Sequence, residues 1–426
     1  MQRCIVVLAA ALAALPLVRP ISAQKFQPKT IQFKGDPEYT DKELLDAAGL
    51  KPGTVLDSAS MNDAAQRLLA TGVFKTLLYK FDGQDLIFQL TPSTQIYTIR
   101  MTNLPLVAGS DLDNKLHALF PLYHGKVPSD GGLSDGVRGA LEQILAAQGI
   151  QATVMATFSP GAPGGKDGFV NYSIMAPPVV VGDIRLSGNS VALDAGAQEI
   201  LTKMTGSPYD VVGSPSQLST YLGNYYRDKG YVEAVIQAAP QGAPVVSQDG
   251  VKIPFEITVT PGIQYRYAGV QMGPGVLVSQ ADFDKTSPLH PGDVAEGQRV
   301  TANWEYIAGQ YHNHGFMRAS VHPTPSFDRT KGTVSYSVTV DPGPVFTMGN
   351  LTVENVSDDL RALMLAAWKM PSGSVFDESA LRNFYAIGDA NPTLKRIFAA
   401  VNCTYTLTLN DAPRTVDVAL RLEKKH

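Results

Sequence analysis

The fold is decided by a stretch that recurs along the chain, and its clearest copy is TVSYSVTVDPG at residues 333–343. Apolar side chains alternate with polar ones from Val334 to Val340, a period of two that buries one face of a β-strand. Pro342 then ends the ladder, because proline has no N–H to donate. Comparable alternating runs occur at residues 86–90, 170–174, 251–259 and 416–422. The chain therefore repeats one strand five times.

A short apolar strand and two helical segments accompany each copy of this strand. The short strands begin at residues 31, 99, 184, 270 and 351, which are 68 to 86 residues apart. A glycine turn separates the two helical segments, at residues 53, 125, 206, 292 and 373. The second segment is amphipathic, with Val300, Trp304 and Ile307 on one face. Glycine followed by an apolar residue, such as Gly315-Phe316, ends it, and a middle strand follows.

These elements predict an α+β fold, a linear array of five β-α-α-β-β domains, each a three-stranded sheet with two helices on one face. The predicted boundaries are 24–93, 94–177, 178–262, 263–343 and 344–426, and we refer to these segments as repeats one to five. The helices of repeat two match the pattern least well. In repeat five, Asp389-Ala390-Asn391-Pro392 replaces the glycine that ends the second helix. Length alone, at 426 residues, would have suggested about three domains.

Residues 1–23 are interpreted as a secretory signal peptide. Arg3 supplies the positive end, residues 5–17 form an apolar core of 13 residues, and Ala23 offers a small residue for cleavage. A membrane-spanning helix needs about 20 apolar residues, so an uncleaved anchor is the less favoured alternative. We therefore expect an exported, periplasmic chain that is at most peripheral to the outer membrane, with no transmembrane segment after cleavage.

Charge and cysteine content exclude several classes of protein. The formal net charge is −4, and without the leader 33 basic residues stand against 39 acidic ones. A nucleic-acid-binding protein would show a basic excess or a basic cluster. Two cysteines are too few for a disulfide scaffold or a cysteine-based zinc domain. We therefore expect no nucleic-acid partner and no internal disulfide.

The repeat resembles the POTRA (polypeptide-transport-associated) domain family. The resemblance is carried by the short strand before Gly188-Asn189, the glycine turn between helices, the glycine-aromatic helix end at Gly230-Tyr231, and the Pro261-Gly262 stop. It covers residues 25–424. Five such domains in series are similar to the periplasmic arm of the BamA family of outer-membrane assembly proteins. A barrel follows the last domain in that family, but residues up to 426 contain no further alternating segments of that kind, so barrel function is not implied here.

The resemblance implies a non-enzymatic periplasmic scaffold or substrate-binding protein in outer-membrane protein assembly or secretion. Its implied partners are unfolded outer-membrane or exported polypeptides, together with an outer-membrane barrel or assembly factor. An exposed sheet edge can accept an extended strand through main-chain hydrogen bonds. The residues predicted to form such edges, in the middle strands of repeats three and four, are Val232, Glu233, Ala234, Val235, Ile236, Gln237, Ala319, Ser320, Val321 and His322. The alternative is that these strands are ordinary solvent-facing edges or are covered by the next domain.

Two strings resemble ligand sites and are interpreted as structural. His312 and His314 are two residues apart, a spacing that points their side chains away from each other on a helix. Residues 161–167 lack the first glycine and the final Ser/Thr of a phosphate loop. We interpret the second string as a connection between two strands of repeat two.

Two further strings resemble catalytic sites. Gly132-Leu133-Ser134-Asp135-Gly136 matches Gly-x-Ser-x-Gly, but a loop precedes it where a nucleophile elbow needs a buried strand. We expect Ser134 or Asp135 to cap a helix instead. Cys403 lies in an alternating run and is expected to be a buried structural thiol.

No catalytic residue, cofactor or metal is therefore expected. Two other functions stay open at this point. One is an architectural periplasmic adaptor that docks one folded partner, and the other is an exported hydrolase, which depends only on the string around Ser134. The range of ligands separates an adaptor from a substrate-binding scaffold, because the adaptor binds a single folded protein.

Overall fold

A computed structural model of the chain describes residues 25–36, 38–81, 84–106, 110–161, 168–187 and 195–424. The signal peptide predicted for residues 1–23, the loop at 162–167 and the Gly188-Asn189 turn lie outside these residues. The chain divides into two compact units. The first contains the sheets of repeats one to three, and the second contains the sheets of repeats four and five together with residues 220–236.

The helices and strands follow one another in five groups. Repeat one contains β1 (Thr30–Lys34), α1 (Asp41–Ala48), α2 (Ser58–Ala70), β2 (Phe74–Phe81) and β3 (Asp85–Pro92). Repeat two contains β4 (Ile96–Met101), α3 (Ser110–Leu119), β5 (Lys126–Pro128), α4 (Gly132–Ala147), β6 (Thr153–Ser159) and β7 (Phe169–Ala176). Repeat three contains β8 (Val179–Ser187), α5 (Ala195–Met204), α6 (Gly213–Asp228), β9 (Val235–Pro240), β10 (Val245–Ser247) and β11 (Gly250–Thr260). Repeat four contains β12 (Arg266–Met272), α7 (Gln280–Thr286), α8 (Gly297–His312), β13 (Ser320–Asp328) and β14 (Thr333–Asp341). Repeat five contains β15 (Thr347–Glu354), α9 (Asp358–Ala367), α10 (Ser379–Ala390), α11 (Pro392–Ala400), β16 (Val401–Asn410) and β17 (Thr415–Lys424).

The sheets share one topology, in which the last strand of each repeat lies between the first strand and the middle strand. In repeat four the order is β12-β14-β13, with β14 parallel to β12 and antiparallel to β13. Repeats one, two and five show the same parallel and antiparallel pairings around β3, β7 and β17. In repeat three, β11 pairs with β8 in parallel and also with β9. The α+β class is confirmed.

Three repeats depart from the predicted β-α-α-β-β order. The sheets of repeats two and three have four strands where three were predicted. In repeat two the residues after the glycine turn form β5, which pairs with β4, whereas the other repeats make a single bridge there. In repeat three, β10 forms a hairpin with β11. In repeat five, Asn391 caps an additional helix, α11, and Pro392 occupies its first turn, where proline is well tolerated.

Alternation places the core on one face of each sheet. In repeat four, Val334 and Val338 are fully buried, and they belong to one apolar cluster with Phe283 of α7 and Ile307 of α8. The helices therefore cover the buried face of the sheet, as predicted. Trp304 is partly buried against the same cluster. Each repeat of this size has a modest core of its own.

The glycines predicted to end helices do so, and two of them also bond to the next repeat. Positive φ angles occur at all five turn glycines and at the four helix-ending glycines, residues 53, 125, 206, 292, 373, 72, 149, 230 and 315. The carbonyl of Gly315 accepts a hydrogen bond of 2.8 Å from the N–H of Phe346, in repeat five. The carbonyl of Gly230 accepts one of 2.8 Å from the N–H of Tyr265, in repeat four. Glycine is required here because the backbone is left-handed and the next repeat approaches closely.

Candidate functional site

The candidate site is the unpaired edge of a sheet, because the central position of the last strand leaves the first and middle strands at the edges. The first-strand edge is partly covered by the residues after the glycine turn. Bridges of this kind join Phe26 to Leu56, Val180 to Pro208, Arg266 to Val294 and Thr347 to Val375. Within the described residues, the middle strands β2, β6, β9, β13 and β16 each pair with one strand only. Their outer edges present main-chain groups that another strand could bind.

The edge predicted at residues 232–237 begins three residues later than expected. Val232 and Glu233 lie in a turn, because the N–H of Ala234 donates to the carbonyl of Tyr231 at 3.0 Å. Only Val235, Ile236 and Gln237 of this prediction belong to β9. Further along β9, the N–H of Ala238 donates to Ser219 Oγ of α6 at 3.2 Å. This N–H is therefore already engaged by the helix and is not available to an added strand.

Glu233 has a different position from the one predicted. It accepts hydrogen bonds from Arg329 Nη2 at 2.5 Å and from the hydroxyl of Tyr265, both in repeat four. The hydrogen bond from Arg329, followed by that from Tyr265, lowers the pKa of the Glu233 carboxyl below its ordinary value. Glu233 therefore belongs to the contact of residues 229–233 with repeat four, and the prediction of an edge position for it is wrong.

The second predicted edge, at residues 319–322, lies mostly in the edge strand β13, which has fewer donors further along. Ala319 precedes the strand, whereas Ser320, Val321 and His322 lie in β13. The pairing of β13 with β14 runs without a register shift through Pro323 and Pro325. These prolines are two residues apart, so both face the same side, and proline is accommodated in an edge strand only where its nitrogen points outward. The outer edge of β13 is therefore missing two consecutive N–H donors.

Restoring these N–H donors should allow the outer edge of β13 to pair with another strand. We expect the double variant Pro323→Thr/Pro325→Thr to self-associate, because two new outward N–H groups can pair with an extended strand at about 0.5–1.5 kcal/mol each. Sedimentation velocity over a concentration series should then show association about ten- to a hundredfold tighter than in the parent chain. Ser326→Thr, on the same strand, adds no donor and should behave like the parent. Equal association of both variants would contradict the role given to the prolines.

Among the described middle strands, β16 has the longest outer edge without proline, and from Thr404 to Asn410 no second strand pairs with it; the sequence-based prediction did not include this strand. β16 is ten residues long, contains no proline, and pairs with β17 at every position from Val401 to Asn410. Cys403, Leu407 and Leu409 are partly buried against the core of repeat five, while Thr404 and Thr406 are exposed. The other middle strands are shorter, at six to nine residues. A long alternating run without proline was the signal that could have identified it.

A cleft opens beside the middle of β16. Its volume is about 360 Å³, and Tyr405 of β16 lines it opposite residues of α8, in repeat four. His312 Nδ1 lies 3.0 Å from Glu378 Oε2 across this cleft, and Arg382 Nη2 donates to Asn313 Oδ1 at 3.2 Å. Pockets next to a free strand provide places for alternate side chains of an added strand. The free edge and the cleft therefore adjoin at Tyr405.

The contact between His312 and Glu378 should make stability depend on acid pH. The hydrogen bond from His312 lowers the pKa of Glu378. A carboxyl with a lowered pKa stabilises the folded chain above its unfolded pKa, and this contribution is lost as pH falls through the folded value. We expect Glu378→Gln to reduce the free energy of unfolding by about 1 kcal/mol at pH 7. Denaturant titrations should show this difference shrinking below about pH 4. Glu305→Gln, on the same cleft but exposed, is the control; a Glu378→Gln effect that is equal at both pH values would contradict the assignment.

The strings that resemble catalytic or metal sites have structural positions. Ser134 is buried within α4, and its Oγ lies 3.1 Å from the hydroxyl of Tyr172. The predicted cap by Ser134 or Asp135 is wrong, because the N-cap residue is Gly131 and no side chain caps the helix. The N–H of Leu133 instead donates to the carbonyl of Thr71 in repeat one, at 3.2 Å.

The two histidines of repeat four contact different partners. His312 contacts Glu378, whereas His314 Nδ1 contacts the carbonyl of Gln310 at 2.8 Å. The structure therefore does not bring this pair together. Cys403 is intermediate in burial and packs against the core of repeat five.

Comparison with known proteins agrees with this architecture. The POTRA family model, described as "Surface antigen variable number repeat", matches residues 29–92 and 266–343. These are the segments whose described elements follow β-α-α-β-β without additions. These two segments, in repeats one and four, are POTRA domains. None of the helices in the described part of the chain has the length and apolar character needed to cross a membrane.

Several solved structures are similar to parts of this chain. BamA POTRA3-5 from Haemophilus influenzae is 18% identical, covers 59% of this chain and all of its own, and superposes with a TM-score of 0.41. The N-terminal domain of Omp85 from Thermosynechococcus elongatus is 17% identical, covers 59% of this chain and 99% of its own, with a TM-score of 0.24. CdiB from Escherichia coli is 14% identical, covers 48% of this chain and 34% of its own, with a TM-score of 0.20. The POTRA assignment itself rests on the family match and on the element order.

Proposed function

We propose that this POTRA array is a non-enzymatic periplasmic scaffold in outer-membrane protein assembly or secretion, and that it binds extended polypeptides by strand addition at β16. The observation that carries the proposal is the outer edge of β16, which contains no proline and pairs with no second described strand from Thr404 to Asn410. Main-chain pairing tolerates many side-chain sequences, which suits a protein that handles varied unfolded substrates.

The composition and contacts of the edges support β16 over β2, β9 and β13. β13 contains Pro323 and Pro325, and a side chain of α6 bonds to Ala238 in β9. β2 contains Lys75 and Lys80, and lysine on an edge strand discourages strand pairing. The names of the similar structures add that Omp85 of Anabaena has POTRA domains in its periplasmic part. A periplasmic location for this chain is part of the proposal, and the sequence-based expectation of a signal peptide supports it.

Site-specific photo-cross-linking in the exporting cell tests this function. A photoreactive residue at Thr406, on the free edge, should capture many different unfolded exported chains. The control position is Ser337, an exposed residue on the central strand β14 that pairs with β12 on one side and with β13 on the other. Main-chain addition cannot occur there, so we expect few adducts.

The identity of the captured proteins separates the two leading functions. A substrate-binding scaffold gives a broad set of extended polypeptides at Thr406, including outer-membrane proteins. An architectural adaptor gives one folded partner, and that result would overturn strand addition. Recovery of neither barrel proteins nor assembly factors would contradict the role in outer-membrane assembly.

A further inference from the structure

Three potential metal ligands from two repeats meet at the junction of repeats one and two. They are Glu43 on α1, His117 in the last turn of α3, and His124 in the segment that follows. Their ligand atoms all lie within 4.8 Å of one another. Glu43 Oε1 is 3.0 Å from His124 Nε2 and 3.5 Å from His117 Nε2. Residues separated by more than 70 positions thus converge on one carboxylate oxygen.

The hydrogen bonds around His117 fix which ring nitrogen faces Glu43. His117 Nδ1 lies 3.0 Å from the carbonyl oxygen of Tyr123, which can only accept a hydrogen bond. Nδ1 therefore carries a proton, and in the neutral ring Nε2 presents a lone pair towards Glu43. The hydroxyl of Tyr123 in turn donates to Asp113 Oδ1 at 2.9 Å, one turn before His117 on the same helix. Outer hydrogen bonds of this kind orient histidines that ligate metals.

The two oxygens of Glu43 have separate partners. Oε2 accepts hydrogen bonds from the N–H of Thr40 at 2.7 Å and from its hydroxyl at 2.8 Å, which form the capping box of α1. This leaves Oε1 directed at the two imidazoles. The carboxylate is thereby oriented before any ion binds, and its side chain is only 18% exposed.

We propose that Glu43 Oε1, His117 Nε2 and His124 Nε2 bind a zinc ion that joins repeat one to repeat two. Two imidazoles and one carboxylate are ligands that Zn²⁺ accepts, with bonds of about 2.0–2.2 Å. Tetrahedral bonds of that length put neighbouring ligand atoms about 3.3 Å apart, close to the two nitrogen–oxygen distances given above. Mg²⁺ and Ca²⁺ prefer oxygen ligands alone.

The ion would reinforce contacts already present at this junction. Lys126 Nζ lies 3.5 Å from Glu38 Oε1, again across the two repeats. The ring of Tyr39 packs against the ring of His124, with centroids 5.0 Å apart. Because one ligand comes from repeat one and two from repeat two, binding would stabilise the junction and not only one domain. Three protein ligands leave a fourth position for water or a partner.

Calorimetric titration of ZnCl₂ into the full chain without a polyhistidine tag tests the proposal. We expect one ion per chain, and at least a roughly tenfold loss of affinity in His117→Ala and in His124→Ala. His290→Ala is the control, because its side chain is 73% exposed and lies outside the cluster. Zinc should also raise the unfolding temperature of the parent in a concentration-dependent way, and do so less in the two variants.

Two results would overturn the site. One is a titration that is unchanged in both His117→Ala and His124→Ala, which would assign the ion to another place. The other is the lack of a stoichiometric binding step in the parent chain. Co²⁺ provides an independent measure, because its visible absorption depends on its coordination geometry. If the cluster binds Co²⁺, the spectrum should be that of a tetrahedral ion with nitrogen and oxygen ligands. The strand-addition function does not depend on either outcome.

Discussion

Replacing Phe88 with alanine is expected to unfold repeat one while repeats four and five stay folded. Phe88 is fully buried in β3, where its ring lies 5.2 Å from that of Phe33 and 5.8 Å from that of Tyr79. Truncating a buried phenylalanine costs about 3–5 kcal/mol. A domain of this size has little stability beyond that amount.

Hydrogen exchange measured segment by segment checks this prediction. Amides of β1 and β3 should lose protection in Phe88→Ala, and those of β14 and β17 should keep it, because repeats with separate cores unfold separately. Leu78→Ala, on β2, is the matched control. Its side chain is 69% exposed, so we expect a change within about 0.5 kcal/mol. Loss of protection throughout the chain in Phe88→Ala would contradict the assignment of separate cores.

Replacing Gly315 with alanine is expected to destabilise the chain by about 2–4 kcal/mol, through backbone strain and overpacking together. Gly315 has a φ of 82°. A Cβ there would lie 2.8 Å from the carbonyl oxygen of Phe346 and 2.8 Å from a methyl group of Val375. Both neighbours belong to repeat five, so the cost falls on the junction of repeats four and five.

Two other glycines of repeat four separate these causes. Gly292 has a φ of 98°, but a Cβ there meets no described atom within 4 Å, so Gly292→Ala should carry only the strain, about 1–2 kcal/mol. Gly309 is inside α8 with open space around it, and Gly309→Ala should stabilise by about 0.5–1 kcal/mol. Denaturant unfolding of the three variants should give this order. A Gly315→Ala variant no worse than Gly292→Ala would contradict the close approach of repeat five.

The repeated elements could be predicted because their signals are local. Alternation identified β14, and the left-handed glycines, such as Gly53 and Gly373, marked the turns between helices. Short-range chemistry of this kind is the same whatever the rest of the chain does. The element order of repeats one and four followed from it, and so did the resemblance to POTRA domains.

The candidate sites could be predicted only in part, because they depend on contacts between distant residues. The sequence around Glu233 predicts a strand residue, and only the structure shows its hydrogen bond with Arg329. The Glu43, His117 and His124 cluster requires α1 and α3 to dock, and no spacing within the sequence indicates that. The positions of proline in the sequence do predict which edges have their N–H donors. They predict an edge with fewer donors for β13 and an edge without proline for β16.

Hydrogen exchange of β16 with and without an extended peptide tests the central claim most directly. The peptide should be an alternating strand from an outer-membrane barrel. Addition to the outer edge predicts slower exchange at every second amide between Thr404 and Asn410, with β13 less affected because Pro323 and Pro325 remove two of its outward donors. The same protection should appear with a peptide of different sequence but the same alternation. Unchanged exchange throughout β16, or protection confined to loops, would contradict strand addition at this edge.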